Sequence, residues 1–142
     1  MSSIFTKIVN GEIPAYKIME DEKHLAFLDV MPLVEGHTLV IPKKEIDLIF
    51  DLDSEEFKEL FSFAQKVAKK VGAAIPCKRV GVAVIGLEVP HAHIHLVPLQ
   101  HLHDIDFSRE RLKLSPEEYQ KIQEKNCKCL DFSKHFCIIK SK

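Results

Sequence analysis

Residues 91–98 read HAHIHLVP, so His91, His93 and His95 alternate with Ala92, Ile94 and Leu96. Imidazole titrates near pH 6.5, which makes it a nucleophile, a general base or a metal ligand at neutral pH. In an extended chain side chains alternate between faces. The three histidines then share one face, and the apolar residues share the other, where they can pack on a helix. The histidine face must meet solvent, a ligand or another polar group. A metal site is one reading. On a straight strand the outer two Cα atoms stand about 13 Å apart, so both rings must lean far inward to reach Zn–N distances of about 2.1 Å. Adjacent pairs chelate more easily, with His37 or a carboxylate as further ligands, and a metal ranks second. The favoured reading is nucleophilic. A central histidine attacks phosphorus while its neighbours orient it and neutralise phosphate oxygens. Three solvated histidines are the bland alternative, and strict alternation on both faces ranks it below function.

The elements that must carry these residues are legible around them. Ile4, Phe5, Ile8 and Val9 follow helical spacing, with Ser2 or Ser3 as cap and Gly11 as stop. An extended run leads from Pro14 to Glu20, and residues 24–30 (HLAFLDV) read as a strand with Leu25, Phe27 and Asp29 on one face. Residues 31–36 are turn-like, and 37–42 (HTLVIP) form a third strand. Residues 45–50 suit a separate helical turn. Asp53 and Glu56 make a capping box for a long helix. Its apolar stripe is Phe57, Leu60, Phe61, Ala64, Val67, Ala68 and Val71, and Gly72 is its expected stop. Residues 79–86 (RVGVAVIG) are apolar on both faces and predict a buried central strand. The histidine strand follows, then a helix over about 116–125 started by Ser115, Pro116 and Glu118. This order predicts an α+β domain: a five-stranded, mostly antiparallel sheet with one long helix and short ones.

The chain has 142 residues, 46% of them hydrophobic, with a formal net charge of -1, which suits one domain over residues 1–142. The charge argues against non-specific nucleic-acid binding, which needs a basic face. A few local donors still suffice for one small phosphate. No window reaches the length of a membrane span, and the first residues lack a secretory signal pattern. Cys77, Cys127, Cys129 and Cys137 are too sparse for a disulfide scaffold and lack zinc-knuckle spacing, so reduced thiols in a cytoplasmic protein are expected.

HAHIHLVP resembles the signature of the histidine triad (HIT) family, in which three histidines alternate with apolar residues. The likeness continues through residues 4–46 (IFTKIVNGEIPAYKIMEDEKHLAFLDVMPLVEGHTLVIPKKEI) and covers roughly residues 4–98, leaving 99–142 as an extension. It looks closest to the small nucleotide-binding, Hint-like branch, especially its bacterial members. The resemblance implies a homodimer whose sheets join across the interface, and hydrolysis of a purine nucleoside 5′-phosphoramidate or related nucleotide derivative. By position, His93 would be the nucleophile, His95 would contact the phosphate, and His91 and His37 would complete the polar network. Asp29 would accept from the ribose hydroxyls, with Phe5, Ile8, Phe27, Leu28 and Val30 around base and sugar. Glu88 and Val89, just ahead of the triad, would complete the nucleotide site. No metal or other cofactor is required.

The chain departs from this pattern in one place. Relatives usually carry an Asn and a glycine-rich loop ending in Gly-Gln-Ser or Gly-Gln-Thr before the triad. Here the loop is several residues shorter, Val84 or a neighbour stands near the Asn position, and Gly86, Leu87 and Glu88 replace the loop's end. The amide and hydroxyl donors are missing, and an ionised Glu88 repels phosphate or accepts from a cationic leaving amine. Losing such donors costs roughly 100-fold each in other enzymes. Two further readings therefore stand beside the hydrolase: a nucleotide-binding module with negligible catalysis, and a metal-dependent hydrolase using His37, His91, His93 and His95.

Overall fold

The computed structural model describes residues 2–129. Five strands, β1 (Lys17–Glu20), β2 (His24–Leu28), β3 (Thr38–Pro42), β4 (Arg79–Ala83) and β5 (Ile94–Leu99), form one sheet in the order β1-β2-β3-β5-β4. All four pairings are antiparallel. Three helices, α1 (Ile4–Val9), α2 (Ser54–Ala74) and α3 (Pro116–Cys129), and two 3-10 turns (Ile49–Asp51, Leu102–Ile105) complete it. The predicted α+β class and the five-stranded sheet are both present.

The sheet has two apolar faces, and the pleat decides which residue serves which. Ala26, Leu28, Val40, Ile94 and Leu96 point to the larger core with Leu60, Phe63, Ala64, Val67 and Val71 of α2. Leu25, Phe27, Leu39 and Ile41 point the other way, under Phe5 and Ile8 of α1. Asp53 caps α2 by accepting from the Glu56 amide, and the reciprocal Glu56 bond closes the capping box. Ser3 caps α1 by accepting from the Thr6 amide.

Several expectations need correction. Gly72 does not end α2, which runs on to Ala74. The glycine is used for closeness: a Cβ there would lie 3.4 Å from Val80. Residues 79–86 are not a central strand. Among the described residues β4 is the sheet edge, pairs with β5 alone, and ends at Ala83. Its apolar residues face outward as well as inward, with Val82 55% exposed. β2 stops at Leu28, before Asp29 and Val30. β5 begins at Ile94, because the amides of His91 and Ala92 bond out of the sheet to the carbonyls of Val89 and Ile46. α3 reaches Cys129 rather than 125, and residues 130–142 lie outside the described residues. Cys127 is disulfide-bonded, against the expected reduced thiols, while Cys77 is free.

Gly36 holds the turn that delivers β3 and His37. Its φ is +94°, and a Cβ would lie 2.8 Å from Ile75 Cγ1 and 3.1 Å from Pro98 Cγ. Gly11 shares the positive φ, +80°, but has nothing within 4 Å. Both Gly→Ala changes incur the left-handed penalty of about 1–2 kcal/mol. Gly36→Ala adds an overpacking cost of about 1–3 kcal/mol. Urea unfolding should therefore show Gly36→Ala as clearly the worse of the two, and equal losses would contradict this packing argument.

Candidate active site

His91 is fully buried, and both its ring nitrogens are occupied. Nε2 lies 2.8 Å from the Pro42 carbonyl, which can only accept, so Nε2 carries the proton. Nδ1 therefore accepts, and the Ser3 hydroxyl at 2.8 Å donates to it. Ser3 is itself fixed: its Oγ caps α1, and its amide donates to Glu45 Oε1 at 3.0 Å. Glu45 Oε1 also accepts from the Thr6 hydroxyl. A neutral imidazole is thus clamped between α1 and the end of β3.

That clamp fixes the next histidine. His93 Nδ1 lies 2.7 Å from the His91 carbonyl, so Nδ1–H donates and Nε2 keeps its lone pair. His95 is fixed in the opposite sense through His37. The buried Leu33 amide donates to His37 Nδ1 at 2.9 Å, which leaves the proton on His37 Nε2. That proton points to His95 Nδ1 at 3.0 Å, so His95 carries its own proton on Nε2. The His93 and His95 rings meet edge to face with centroids 4.9 Å apart. The site therefore holds a free imidazole lone pair beside an imidazole N–H donor. This pair suits attack on an electrophile whose developing anionic oxygen is stabilised next door.

The apolar part of the site comes from α1 and the second sheet face. The Phe5 ring packs edge-on against Phe27 at 5.5 Å, His91 at 5.8 Å and His93 at 5.0 Å. Phe27, Leu39 and His95 lie in one cross-strand row, which explains why they share a face. Ile8 is in the same cluster, and Val89 packs at its margin. Asp29 closes the polar end. Its Oδ1 accepts from the Met31 amide at 2.9 Å, and Oδ2 lies 3.5 Å from His37 Nε2. Burial raises its pKa above the usual carboxylate value, a push only partly opposed by the Met31 amide and the positive charge of Arg111.

Not every predicted residue joins this cluster. Leu28 is buried on the opposite face in the main core, because it is one residue out of phase with Phe27. Only its backbone can face the histidine cluster. Val30 and Glu88 are exposed at the rim. The strand rule that grouped the histidines also needs revision: His91 and His93 precede β5, although Ala92, Ile94 and Leu96 do face the main core as expected. Sequence reading gave Ser3 only a capping role and gave Glu45, Phe107 and Arg111 none. The Phe107 ring lies 4.7 Å from His95 and 6.1 Å from His37, both edge-on. Phe107 follows the triad by a dozen residues in a segment with no period, so nothing local marks it.

A four-histidine metal centre does not match these bonds, since both nitrogens of His91 are engaged. Asp29, His37 and His95 do offer ligand atoms within 4.8 Å of one another. The Leu33 amide, however, keeps a proton on His37 Nε2, the very atom that would bind the ion. A metal there must first displace that proton.

Comparison with known proteins finds relatives over most of the chain. A profile described as HIT domain matches residues 10–103. An uncharacterized HIT-like protein of Borreliella burgdorferi is 36% identical over 133 residues, covering 84% of this chain and 91% of that one. An adenosine 5′-monophosphoramidase of Schizosaccharomyces pombe is 36% identical over 99 residues, 69% of this chain and 74% of its own. Among solved structures, a zinc-bound histidine triad family protein from Mycobacterium smegmatis superposes with a TM-score of 0.76 at 29% identity, covering 94% of this chain and 98% of that one.

Burial dominates the titration of the polar pair. It lowers His37 to about 3, helped by the charges of His95, Arg111 and His93. It lowers His95 to about 4, helped by His93 and Arg111. Both are neutral at pH 7. The unfolded chain takes up these protons near pH 6.5, well before the folded one does. Stability is therefore full above pH 6.5 and is lost as pH falls below it, at roughly 1.4 kcal/mol per pH unit per histidine. Burial lowers His91 as well, so urea midpoints measured between pH 6.5 and 5 should fall steeply in the wild type and distinctly less steeply in His95→Asn. Equal slopes would contradict the assignment.

Proposed function

The chain belongs to the HIT domain family, and from that premise we propose that it hydrolyses nucleoside 5′-phosphoramidates, or related purine nucleotide derivatives, through a nucleotidyl-histidine on His93. The observation that carries this reading is the opposed pair of tautomers. His93 Nε2 attacks the α-phosphorus and the P–N bond breaks, the nitrogen taking a proton from solvent and leaving as the neutral amine, while His95 Nε2–H donates to a phosphate oxygen. Water then attacks the same phosphorus, releasing the mononucleotide and restoring the Nε2 lone pair. His91 acts as a positioning residue through its carbonyl, and His37 through its bond to His95. Asp29 accepts from the ribose hydroxyls. Phe5, Ile8, Phe27 and Val89 enclose the base and sugar, with the Leu28 backbone and Val30 beside them. Glu88, at the rim, accepts from the departing amine. The fission yeast relative's name, adenosine 5′-monophosphoramidase, supports the substrate class.

The whole chain acts in this reading as one such unit, in the cytoplasm and as a homodimer. An edge strand bearing outward apolar side chains supports the dimer. Val82, Val84 and Ile85 are exposed along β4 and just beyond it, with Leu87 next to them. In an open monomer this edge would invite non-specific pairing. Among the described residues no helix is long and apolar enough to cross a membrane.

The shortened loop motivates one alternative, a nucleotide-binding module with negligible catalysis. Incubation with adenosine 5′-phosphoramidate separates the two. The wild type should release AMP and show an adenylyl adduct on His93 by mass spectrometry after acid-free quenching. His93→Ala should lose at least about a thousandfold in rate. AMP binding without release or adduct would instead establish the binding module. For the dimer, Val82→Lys places a charge on the exposed edge without touching the core. Light scattering should give twice the chain mass for wild type and one chain mass for the variant, and a monomeric wild type would end that part of the reading.

A further inference from the structure

A nucleotide phosphate entering this site carries at least one negative charge, and the groups already described do not balance it. His37 and His95 are neutral at pH 7. Asp29 adds negative charge when ionised, and Glu88 stands at the rim. The stretch ahead of the triad, with Val84, Gly86, Leu87 and Glu88, offers no side-chain amide or hydroxyl donor. Hydrogen bonds from His95 Nε2 alone leave the phosphate facing like charges.

The segment after the matched domain supplies what is lacking. Arg111 is half-buried, and its Nη1 donates to the Met31 carbonyl at 2.7 Å, two residues from Asp29. Its guanidinium lies 5.6 Å from the centroid of Phe107, the ring that packs on His95 and His37. Its positive charge acts on Asp29, His37 and His95 together. One N–H of five serves Met31, and the fork geometry of a guanidinium suits phosphate oxygens.

The backbone around Arg111 is held in place from both sides. Asp104 accepts from the amides of Gln100 and His101 and from Arg109, which ties the turn after β5. Asp106 accepts from the amide and hydroxyl of Ser108. The Leu112 amide then donates to the Pro32 carbonyl at 2.9 Å. The arginine is presented by a tied segment rather than a free tail.

We propose that Arg111 is a phosphate-binding residue of this site, brought there by the segment that follows the family domain. It rests on the nucleotide reading above and deepens it, since it names which part of the substrate this extension recognises. The competing role is purely structural: Arg111 pins the Met31 carbonyl and thereby the Asp29 loop. Arg111→Gln separates the two, because glutamine keeps an N–H donor for that carbonyl and loses the charge. Arg111→Lys restores the charge.

Calorimetry with AMP and with adenosine on the full chain reads the phosphate contribution directly. The wild type should prefer AMP. Arg111→Gln should weaken AMP roughly tenfold or more, as loss of a charge-assisted bond does, and leave adenosine within about twofold. Arg111→Lys should recover most of the loss. If Arg111→Gln weakens AMP and adenosine equally, or keeps the full preference for AMP, the phosphate role is overturned while the nucleotide reading stands. If the wild type binds neither compound, the nucleotide reading itself fails and this inference fails with it.

Discussion

The 2.7 Å bond from His93 Nδ1–H to the His91 carbonyl decides which nitrogen of His93 can react. Imidazole offers two nitrogens, and a ring free to exchange tautomers would present a lone pair to the site only part of the time. Here the carbonyl accepts a hydrogen bond and cannot donate one, so the proton stays on Nδ1 and Nε2 keeps the lone pair. The bond is only as firm as His91, and His91 is held by Ser3 on one side and Pro42 on the other. The helix cap at the start of α1 and the last carbonyl of β3 therefore both bear on the same nitrogen. A short N-terminal helix whose own stability is small gains a site role because Ser3 serves as cap and as clamp.

The second chain of bonds runs in the opposite direction and has the opposite outcome. It starts at a backbone amide, Leu33, and ends with a proton on His95 Nε2. The two imidazoles thus differ in role because one is anchored on a backbone acceptor and the other, through His37, on a backbone donor. Burial keeps the second pair neutral, since a charged imidazole loses its hydration there. That neutrality preserves the donor–acceptor order, because a protonated His37 could no longer accept from Leu33. It also leaves that pair without positive charge of its own, and the Arg111 guanidinium brings charge to it from elsewhere in the chain.

Local rules in the sequence carried much of this. The Asp53–Glu56 box, the Ser3 cap and the alternation of Ala92, Ile94 and Leu96 are short-range signals, and each appears in the fold. Phe27 and Leu28 show the same rule at work within two residues: the pleat sends one to the site face and one to the core. What the sequence could not disclose was long-range. The partner of His91 Nε2 is a carbonyl 49 positions away, and backbone carbonyls have no residue signature. The apolar run at 79–86 misled because apolarity on both faces arises from burial within a chain or from an edge left for another surface. Composition alone does not separate the two. The family resemblance named the histidines but stopped near residue 98, so Phe107 and Arg111 had neither a motif nor a period to mark them.

The boundary of the family match is consequently not the boundary of the site. The loop from Asp29 to Pro32 has few bonds of its own beyond the Asp29–Met31 turn and the Asp29 amide on His37. The residues after 103 supply the others. Tyr119 donates its hydroxyl to the Asp29 carbonyl at 2.9 Å, Arg111 bonds Met31, and the Leu112 amide bonds Pro32. Three bonds from two stretches of the late chain thus fasten an early loop whose carboxylate faces His37. Tyr119 is in turn stacked on Tyr16 at 4.7 Å, next to β1, which ties α3 to the far side of the sheet. In the proposed function, a carboxylate that accepts from a ribose needs a fixed backbone more than it needs any particular neighbour. In this chain that fixity comes from the extension, so changes there would be felt at Asp29 even where no extension residue touches a nucleotide.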